Sequence, residues 1–540
     1  MSATTFAYVS DERDLAIPGA DLEVTAQDGS VHLLRSSPSG AVHADLPDGA
    51  YDIVVSAAGH GAKRTSIEVR RDREPTRIRL LTGAPYGYAW PKCAAAGSTV
   101  ELRLHSGEPF ELTLWRYGWE PEMVAHVGDF DDHPPGANLQ LLPDGDVAAL
   151  GCSWNELGFV APPHPRWTVV APQRSGLYWF HLTTLSGVFT SFPLVVSPAE
   201  PTAPMAVLAS DITWCAYNDF GGRSNYIAPA RLPAAPAVNT RQEGVWFPDP
   251  ELGSWEHEHY DPLSFDRPEP HNRIGRDDRI TDPITRRGGE HVAPGEWRLL
   301  GWLEREGFAF DLYGETQFNR DELSLEDYRV LVISTHPEYW TRSMYEKLKA
   351  WVTERGGRLV YLGGNGINCE VTFLDDRTMR VENGVHSELR QAAGDREDGA
   401  WTTRFERDVE SEATLLGVRH TWAGFETGAP YEVVEPDHWV FAGTGLVAGD
   451  LFGTENLNAR CHPGGASGHE TDKLGPASPP GTTLLARGVN ADGGGAHLVH
   501  VEHASGGQVF SAGSISYPTS LSVDAALSRV TANVLNRFLS

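Results

Sequence analysis

Cysteine is scarce: five in 540 residues (Cys93, Cys152, Cys215, Cys369, Cys461), with no C-x-x-C pair among them. That excludes a disulfide framework and a thiolate zinc site, and leaves the thiols as small buried hydrophobes. Positive charge is also short. Lys+Arg total 44 against 73 Asp+Glu, a formal net charge of −29, and such a field repels phosphate backbones and anionic membrane surfaces. A nucleic-acid role is disfavoured. Long apolar runs are missing, since stretches such as Tyr328 to Ser334 are far too short to span a bilayer. The opening MSATTFAYVSDERD has no basic segment followed by an apolar one. The expectation is a cytoplasmic protein without membrane association.

Turn formers and aromatics are abundant. Gly 56 and Pro 37 point to many turns and a large β content, and Trp 16, Tyr 16 and Phe 20 supply ample material for ordered cores. At roughly 150 residues per domain the length suggests three or four domains. Residues 1–82 alternate in period two between turn signals, as in IPGADLEVTA and LPDGAYDIVVSAAGH, which predicts a small β-sandwich. The run resembles the carboxypeptidase regulatory-like, transthyretin-type module, and the resemblance implies an accessory domain with no chemistry. Residues 83–200 predict a second, aromatic-rich sandwich holding Trp115, Tyr117, Trp119, Trp154, Trp167, Tyr178 and Trp179. Neither sandwich is expected to contain a parallel strand. The proline-rich SPAEPTAP then marks a boundary.

From residue 201 to 540 strands alternate with helices. MAVLAS, YRVLVIST and RLVYLGG read as buried strands, and Gly295 to Gly307 as a helix. A second helix is predicted after Thr341, with Met344, Leu348, Trp351 and Val352 as its apolar stripe and Gly356 and Gly357 as its stop. The intervening geometry is a β-α-β unit with a right-handed crossover. The third domain is therefore expected to be α/β with a mixed sheet.

Ligands in open α/β sheets sit beyond the carboxyl ends of the strands. Three such ends lead into DITWCAYNDFGGRSNY, HPEYWT and GGNGINCEV, so Trp214, Tyr217, Asn218, His336, Tyr339 and Asn365 are expected to line one cleft. In HPEYW, His336, Glu338 and Tyr339 offer a metal ligand, a base and a hard anionic oxygen within four residues.

Seven ordered motifs then converge: W-x-A-Y-N-x-x-G-G-x-S-x-Y (Trp214 to Tyr226), S-F-D-R-P (Ser264 to Pro268), W-L-E (Trp302 to Glu304), H-P-E-Y-W (His336 to Trp340), G-G-R-L-x-Y-L-G-G-N-G (Gly356 to Gly366), S-G-H-E-x-D (Ser467 to Asp472) and G-G-x-V-F-S-x-G-S-I (Gly506 to Ile515). Together they resemble the N,N-dimethylformamidase large (catalytic) subunit family. The resemblance implies a glutamine-amidotransferase-like α/β domain without the cysteine nucleophile, hydrolysing a small-molecule amide with one ferric ion held by two tyrosines and a glutamate. A small accessory subunit is a partner it allows, and a homo-oligomer is expected.

Carried over residue by residue, Tyr339 matches one tyrosine ligand. The place of the other falls at Trp297, whose indole cannot supply a deprotonated oxygen, so Tyr217, Tyr226 or Tyr313 would have to substitute. The family's glutamate ligand and its neighbouring histidine fall after G-G-N-G, where Glu388 and His386 of VHSEL, or Glu397 of GDREDGAW, are candidates. Glu470 matches a catalytic carboxylate that accepts a proton from water, and His336 joins it as a catalytic candidate. Three rival readings stand beside it: a cysteine amidotransferase using Cys369, a zinc hydrolase using His257 and His259, and a non-enzymatic carbohydrate-binding or scaffold protein.

Overall fold

In Gly49–Ser56 alternation buries Tyr51, Ile53 and Val55 and exposes Ala50, Asp52 and Ser56, the pattern of a strand with one wet face. The computed structural model describes residues 4–70, 72–83, 85–131, 166–222, 224–226, 235–238, 262–382, 402–491 and 493–540. In the first of its units, the sheet Val31–Arg35, Asp21–Ala26, Gly49–Ser56, Lys63–Val69 faces the sheet Ala41–Ala44, Thr4–Asp11, Thr76–Leu80. Val9, Leu22, Ile53 and Leu80 share the core between them. A second pair follows, with Pro121–Phe130, Phe110–Tyr117, Gly176–Thr184, Phe189–Ser197 and Cys93–Ala95 in one sheet and Arg166–Val170, Thr99–His105 and Tyr86–Trp90 in the other.

Two parallel pairings before residue 200 correct the expectation of none: Thr4–Asp11 runs parallel to Thr76–Leu80, and Cys93–Ala95 to Phe189–Ser197. In each case an early strand lies beside the last one of its unit. Alternation reports which face of a strand is buried and carries no information about the direction of its neighbour.

Beyond SPAEPTAP lies a nine-stranded sheet in the order Asp311–Gly314, Met205–Ala209, Val330–Thr335, Arg358–Gly363, Gln508–Ser511, His497–Glu502, Thr483–Gly488, Tyr431–Val433, Leu451–Phe452. The first five strands are mutually parallel and the remaining pairings antiparallel. Every residue of Met205–Ala209 and Val330–Thr335 is buried, as a parallel strand covered on both faces requires. Helix Arg342–Arg355 makes the crossover between Val330–Thr335 and Arg358–Gly363. Its N-cap Thr341 accepts from the Met344 N–H, and it ends at Gly356 with φ +79°, a left-handed turn that glycine adopts without strain.

Helix Ala293–Arg305 fastens this sheet to the second sandwich. Glu304 accepts from Arg116 (2.9 Å), Arg174 (2.7 Å) and the Trp119 N–H (2.7 Å). The chain from Met205–Ala209 continues to Asp311–Gly314 on one side, and that from Val330–Thr335 to Arg358–Gly363 on the other. Strand order therefore reverses between these two neighbours, and the loops after them diverge to leave a crevice at their carboxyl ends.

Candidate functional site

The residue after each of these strands turns into that crevice. Helix Asp211–Tyr217 follows the first, and Tyr217 at its end sends its hydroxyl to His336 Nε2 (2.8 Å) and to Glu338 Oε2 (2.9 Å). Thr213 Oγ1, one turn earlier, accepts from the Glu338 N–H (3.1 Å) and so holds the HPEYW turn against the helix. The Tyr226 hydroxyl reaches Glu338 Oε2 (3.2 Å) and the Tyr339 hydroxyl (2.9 Å), to which Asn225 also donates (2.8 Å). Three phenol oxygens, one carboxylate and one imidazole thus form a connected, buried group.

Strain marks the same place. Thr335 (φ 64°), Asn365 (φ 51°), Ile367 (φ 54°) and His469 (φ 64°) are four of the seven non-glycine residues in the left-handed region among the described residues. For β-branched Thr335 and Ile367 this conformation is costly and persists only where the surroundings over-determine it. Gly364 shows why the G-G-N-G loop needs glycine: a Cβ there would lie 2.3 Å from the Glu470 carbonyl oxygen.

Charges in the group are coupled. Burial pushes Glu338 up, but the neighbouring His336 and Arg404 (3.3 Å from Oε1) outweigh it and hold the carboxyl below its usual range. Burial pushes His336 down, yet Glu470 and Glu338 raise it above the ordinary histidine value. Its Nδ1 lies 3.0 Å from the Gly364 carbonyl, to which it must donate, leaving Nε2 facing Glu338 (2.9 Å) and Glu470 (3.9 Å). Burial, then the charge of Glu338, holds the phenols of Tyr217, Tyr226 and Tyr339 well above their usual range.

A second group adjoins the first. Asn365 Nδ2 donates to Glu470 Oε2 (2.6 Å), while Glu470 Oε1 faces Arg287 (3.5 Å), His291 Nε2 (3.8 Å) and His469 Nε2 (4.0 Å). Glu290 lies behind both histidines, at 3.7 Å and 3.4 Å from their Nδ1 atoms, and pairs with Arg460 (2.8 Å). Burial and then Arg287 push both imidazoles well below the usual histidine pKa, so they are neutral. His291, His469 and Glu470 bring ligand atoms within 4.8 Å of one another, as do Glu290, Cys461 and His469. These clusters mix imidazole nitrogen, thiol sulfur and carboxylate oxygen, a set suited to borderline divalent metals. The tyrosine group supplies the hard oxygens that suit ferric iron.

The expected residues separate into those this arrangement gathers and those it does not. Tyr217, His336, Tyr339, Asn365 and Glu470 come together. Trp214 stands behind the site, donating to Glu296 Oε1 (2.9 Å). Asn218 is a correction: its amide donates to the Pro268 carbonyl (2.8 Å) and its oxygen accepts from the Phe220 N–H, so it shapes the loop rather than facing the cleft. Trp297 is a second correction, because its indole donates to the Gly118 carbonyl (2.7 Å) and packs edge-on against Tyr117, which directs it into the second sandwich. Tyr313 pairs with Tyr328 instead. Tyr217 and Tyr226 are the tyrosines that meet Tyr339.

His386, Glu388 and Glu397 lie outside the described residues, as do His257, His259 and Trp154. Cys369 is buried, and burial pushes its thiol up to about 12, which removes the nucleophile a cysteine amidotransferase needs. Reading by motif missed Arg287, Glu290 and His291 of RRGGEH, and Arg404. The dense cationic and acidic run 286–291 just before a predicted helix was the available signal.

One buried carboxylate next to the site has a measurable consequence. Burial pushes Glu296, which accepts from the Ser210 N–H (3.0 Å) and from Trp214, up to about 8. Its folded pKa exceeds the unfolded one, so the unfolded chain binds fewer protons between about pH 4.3 and 8, and stability falls as pH rises through that window. Glu296→Gln is expected to flatten part of this slope, matching wild type near pH 5 and melting higher than wild type at pH 8.5. Parallel thermal melts across that range are the check, and identical slopes would refute it.

Beside the tyrosine group lies a cavity of about 450 Å³, whose inner wall includes Tyr217, Arg287 and His291. Its far walls come from both sandwiches, through Glu12, Arg13 and Tyr86. Gly222, with φ +80°, lets the motif loop press on the first sandwich: Arg79 donates to its carbonyl (3.2 Å), and a Cβ there would fall 2.6 Å from the guanidinium.

Fold and site define a β-rich protein of several sheets, with its polar centre at the carboxyl edge of the mixed sheet. The chain belongs to the family described as N,N-dimethylformamidase beta subunit-like, C-terminal, which matches residues 111–532. It is 25% identical to the N,N-dimethylformamidase beta subunit of Paracoccus aminophilus over 538 residues, covering 82% of this chain and 66% of that protein. It is also 25% identical to the protein of the same name from Alcaligenes sp over 490 residues, covering 77% and 61%. The chain thus spans less than two thirds of the length of these relatives, which are named beta subunits where the motifs suggested the large subunit. No helix among the described residues is long and apolar enough to cross a membrane.

Proposed function

We propose that the chain is the catalytic, large-subunit type of its family and hydrolyses the C–N bond of a small amide or formamide in an α/β, glutamine-amidotransferase-like domain over residues 201–540. The two sandwiches, residues 1–82 and 83–200, are accessory to it. The observation that carries this reading is the meeting of Tyr217, Tyr226, Tyr339 and Glu338 oxygens beside His336 and Glu470 at the reversal of strand order. In donor chemistry this set fits ferric iron. Tyr339, Tyr226 and Glu338 would hold the ion, with Tyr217 adjoining and Glu388 a further candidate. Once bound, the ion would polarise the amide carbonyl and acidify a water.

The chain's own residues then have separate tasks. Glu470 takes the proton of the attacking water, and Asn365 orients that carboxylate through Oε2. His336, its pKa raised by Glu470 and Glu338 and its Nδ1 held by Gly364, would deliver a proton from Nε2 to the departing amine. His386 is a further catalytic candidate. Trp214 positions the helix that bears Tyr217, and the cavity receives the substrate. The relatives' name, beta subunit, supports assembly with a second kind of chain, and homo-oligomerisation and a cytoplasmic location complete the proposal.

The test is direct. Purified protein should contain about one iron per chain, show a visible absorption band from phenolate bound to ferric iron, and release formate and dimethylamine from N,N-dimethylformamide, or the matching acid and amine from a related amide. A colourless, iron-free protein inactive on a panel of small amides after iron is supplied would sink the proposal.

A further inference from the structure

Although the protein carries a formal charge of −29, the cavity leading to Tyr217 is lined with guanidinium groups: Arg13, Arg273, Arg286 and Arg287. The carboxylates in the same wall cancel only the Arg13 charge among these four. Asp219 is paired with Arg13 at 3.0 Å, and Glu269 with Lys92. Glu12 accepts from the Thr82 N–H and hydroxyl, and burial pushes it up to about 8, so it is uncharged at neutral pH.

Two of the arginines have no carboxylate within 4 Å among the described residues. Arg286 donates to the carbonyl oxygens of His271 and Arg273, and Arg273 lies exposed beside it. Asp278, the nearest acidic influence on Arg286, is occupied with the Gly275 N–H (2.7 Å). Burial and then the Arg273 charge lower the pKa of Arg286. Deeper in, Arg287 is buried over the Tyr217 ring at 5.5 Å from its centroid and faces Glu470. Cationic character therefore runs from the exposed Arg273 through Arg286 to the buried Arg287 at the catalytic group. Guanidinium forks of this kind match carboxylates in geometry as well as charge.

We propose that the amide hydrolysed here carries a carboxylate, as an N-acyl or N-formyl amino acid does, and that Arg286 and Arg273 receive that carboxylate while the amide faces Tyr217 and Glu470. The inference rests on the hydrolase reading and names its substrate class. A neutral dialkylformamide would leave these charges unmatched in the pocket.

The test compares N-formylglycine with its uncharged isostere N-formylglycinamide on the protein as purified. The kcat/KM ratio should favour the anion by on the order of tenfold or more, as a charge-assisted contact implies. The preference should shrink as ionic strength rises. Arg286→Gln should bring the ratio toward one, and Arg273→Gln, at an exposed position that tolerates substitution, should move it the same way. Equal or better turnover of the glycinamide by wild type would overturn the inference while leaving the hydrolase standing. If neither compound is hydrolysed, calorimetric titration with N-acetylglycine and N-acetylglycinamide separates the two readings. Salt-sensitive binding of the anion, weakened by Arg273→Gln, would support the carboxylate pocket and count against hydrolysis; no preference for the anion would overturn the pocket.

Discussion

Tyr339→Phe is expected to abolish the phenolate–iron absorption band and to lower amide turnover by more than about a hundredfold, since it deletes one of the hard oxygen donors proposed to hold the ion. The ring stays in its buried place. Asn225 and Tyr226, which meet the Tyr339 oxygen at 2.8 and 2.9 Å, would lose a partner, and leaving a buried donor unmatched costs about 1–3 kcal/mol. A modest drop in melting temperature should therefore accompany the loss of iron. Metal analysis and the visible spectrum of the folded variant decide the matter, because an unchanged band would place the iron elsewhere. His291, His469 and Glu470 would be the first donors to examine in that event.

The largest loss of stability among site variants is expected for Glu338→Gln. Its carboxylate is shared by the Tyr217 and Tyr226 hydroxyls, His336 and Arg404, all within 3.3 Å. Neutralising it takes one carboxylate charge away from the buried Arg404 guanidinium, and removing one partner of a buried pair typically costs about 3–5 kcal/mol. The glutamine would also turn an N–H₂ toward neighbours that are themselves donors. Because Glu338 helps raise the His336 pKa, that pKa should fall in the variant, an effect a purely structural residue would not produce. Calorimetry together with the titration of the His336 ring signals by NMR is the check. Stability within about 0.5 kcal/mol of wild type, the range of an ordinary surface change, would show that Glu338 is not the hub.

Local pattern was sufficient wherever the deciding physics is local. Thr341, Met344 to Val352 and Gly356 carried cap, stripe and stop for helix Arg342–Arg355, since a hydrogen bond, a 3.6-residue period and a left-handed φ depend only on nearby residues. Unbroken apolar runs marked Met205–Ala209 and Val330–Thr335 as buried strands. The rule that ligands sit beyond the carboxyl ends of such strands places Tyr217, His336, Tyr339 and Asn365 at one edge of the sheet.

Other choices belonged to the tertiary structure alone. Whether Trp297 faces the tyrosine group or the second sandwich depends on the rotation of helix Ala293–Arg305, and that is set by Gly118, Tyr117 and the three donors that grip Glu304. Asn218 sits within the right motif, yet Pro268, fifty residues away, claims its amide. Arg404 and Arg287 reach the site from segments whose sequence carries no sign of where they fold, because the energy of a buried ion pair is a property of two distant residues and of the water they exclude. By itself the sequence determined the elements, the edge of the sheet at which the polar group gathers, and its family. Only the packing of the two sandwiches against that edge decided which tyrosines meet and which charges line the approach to them.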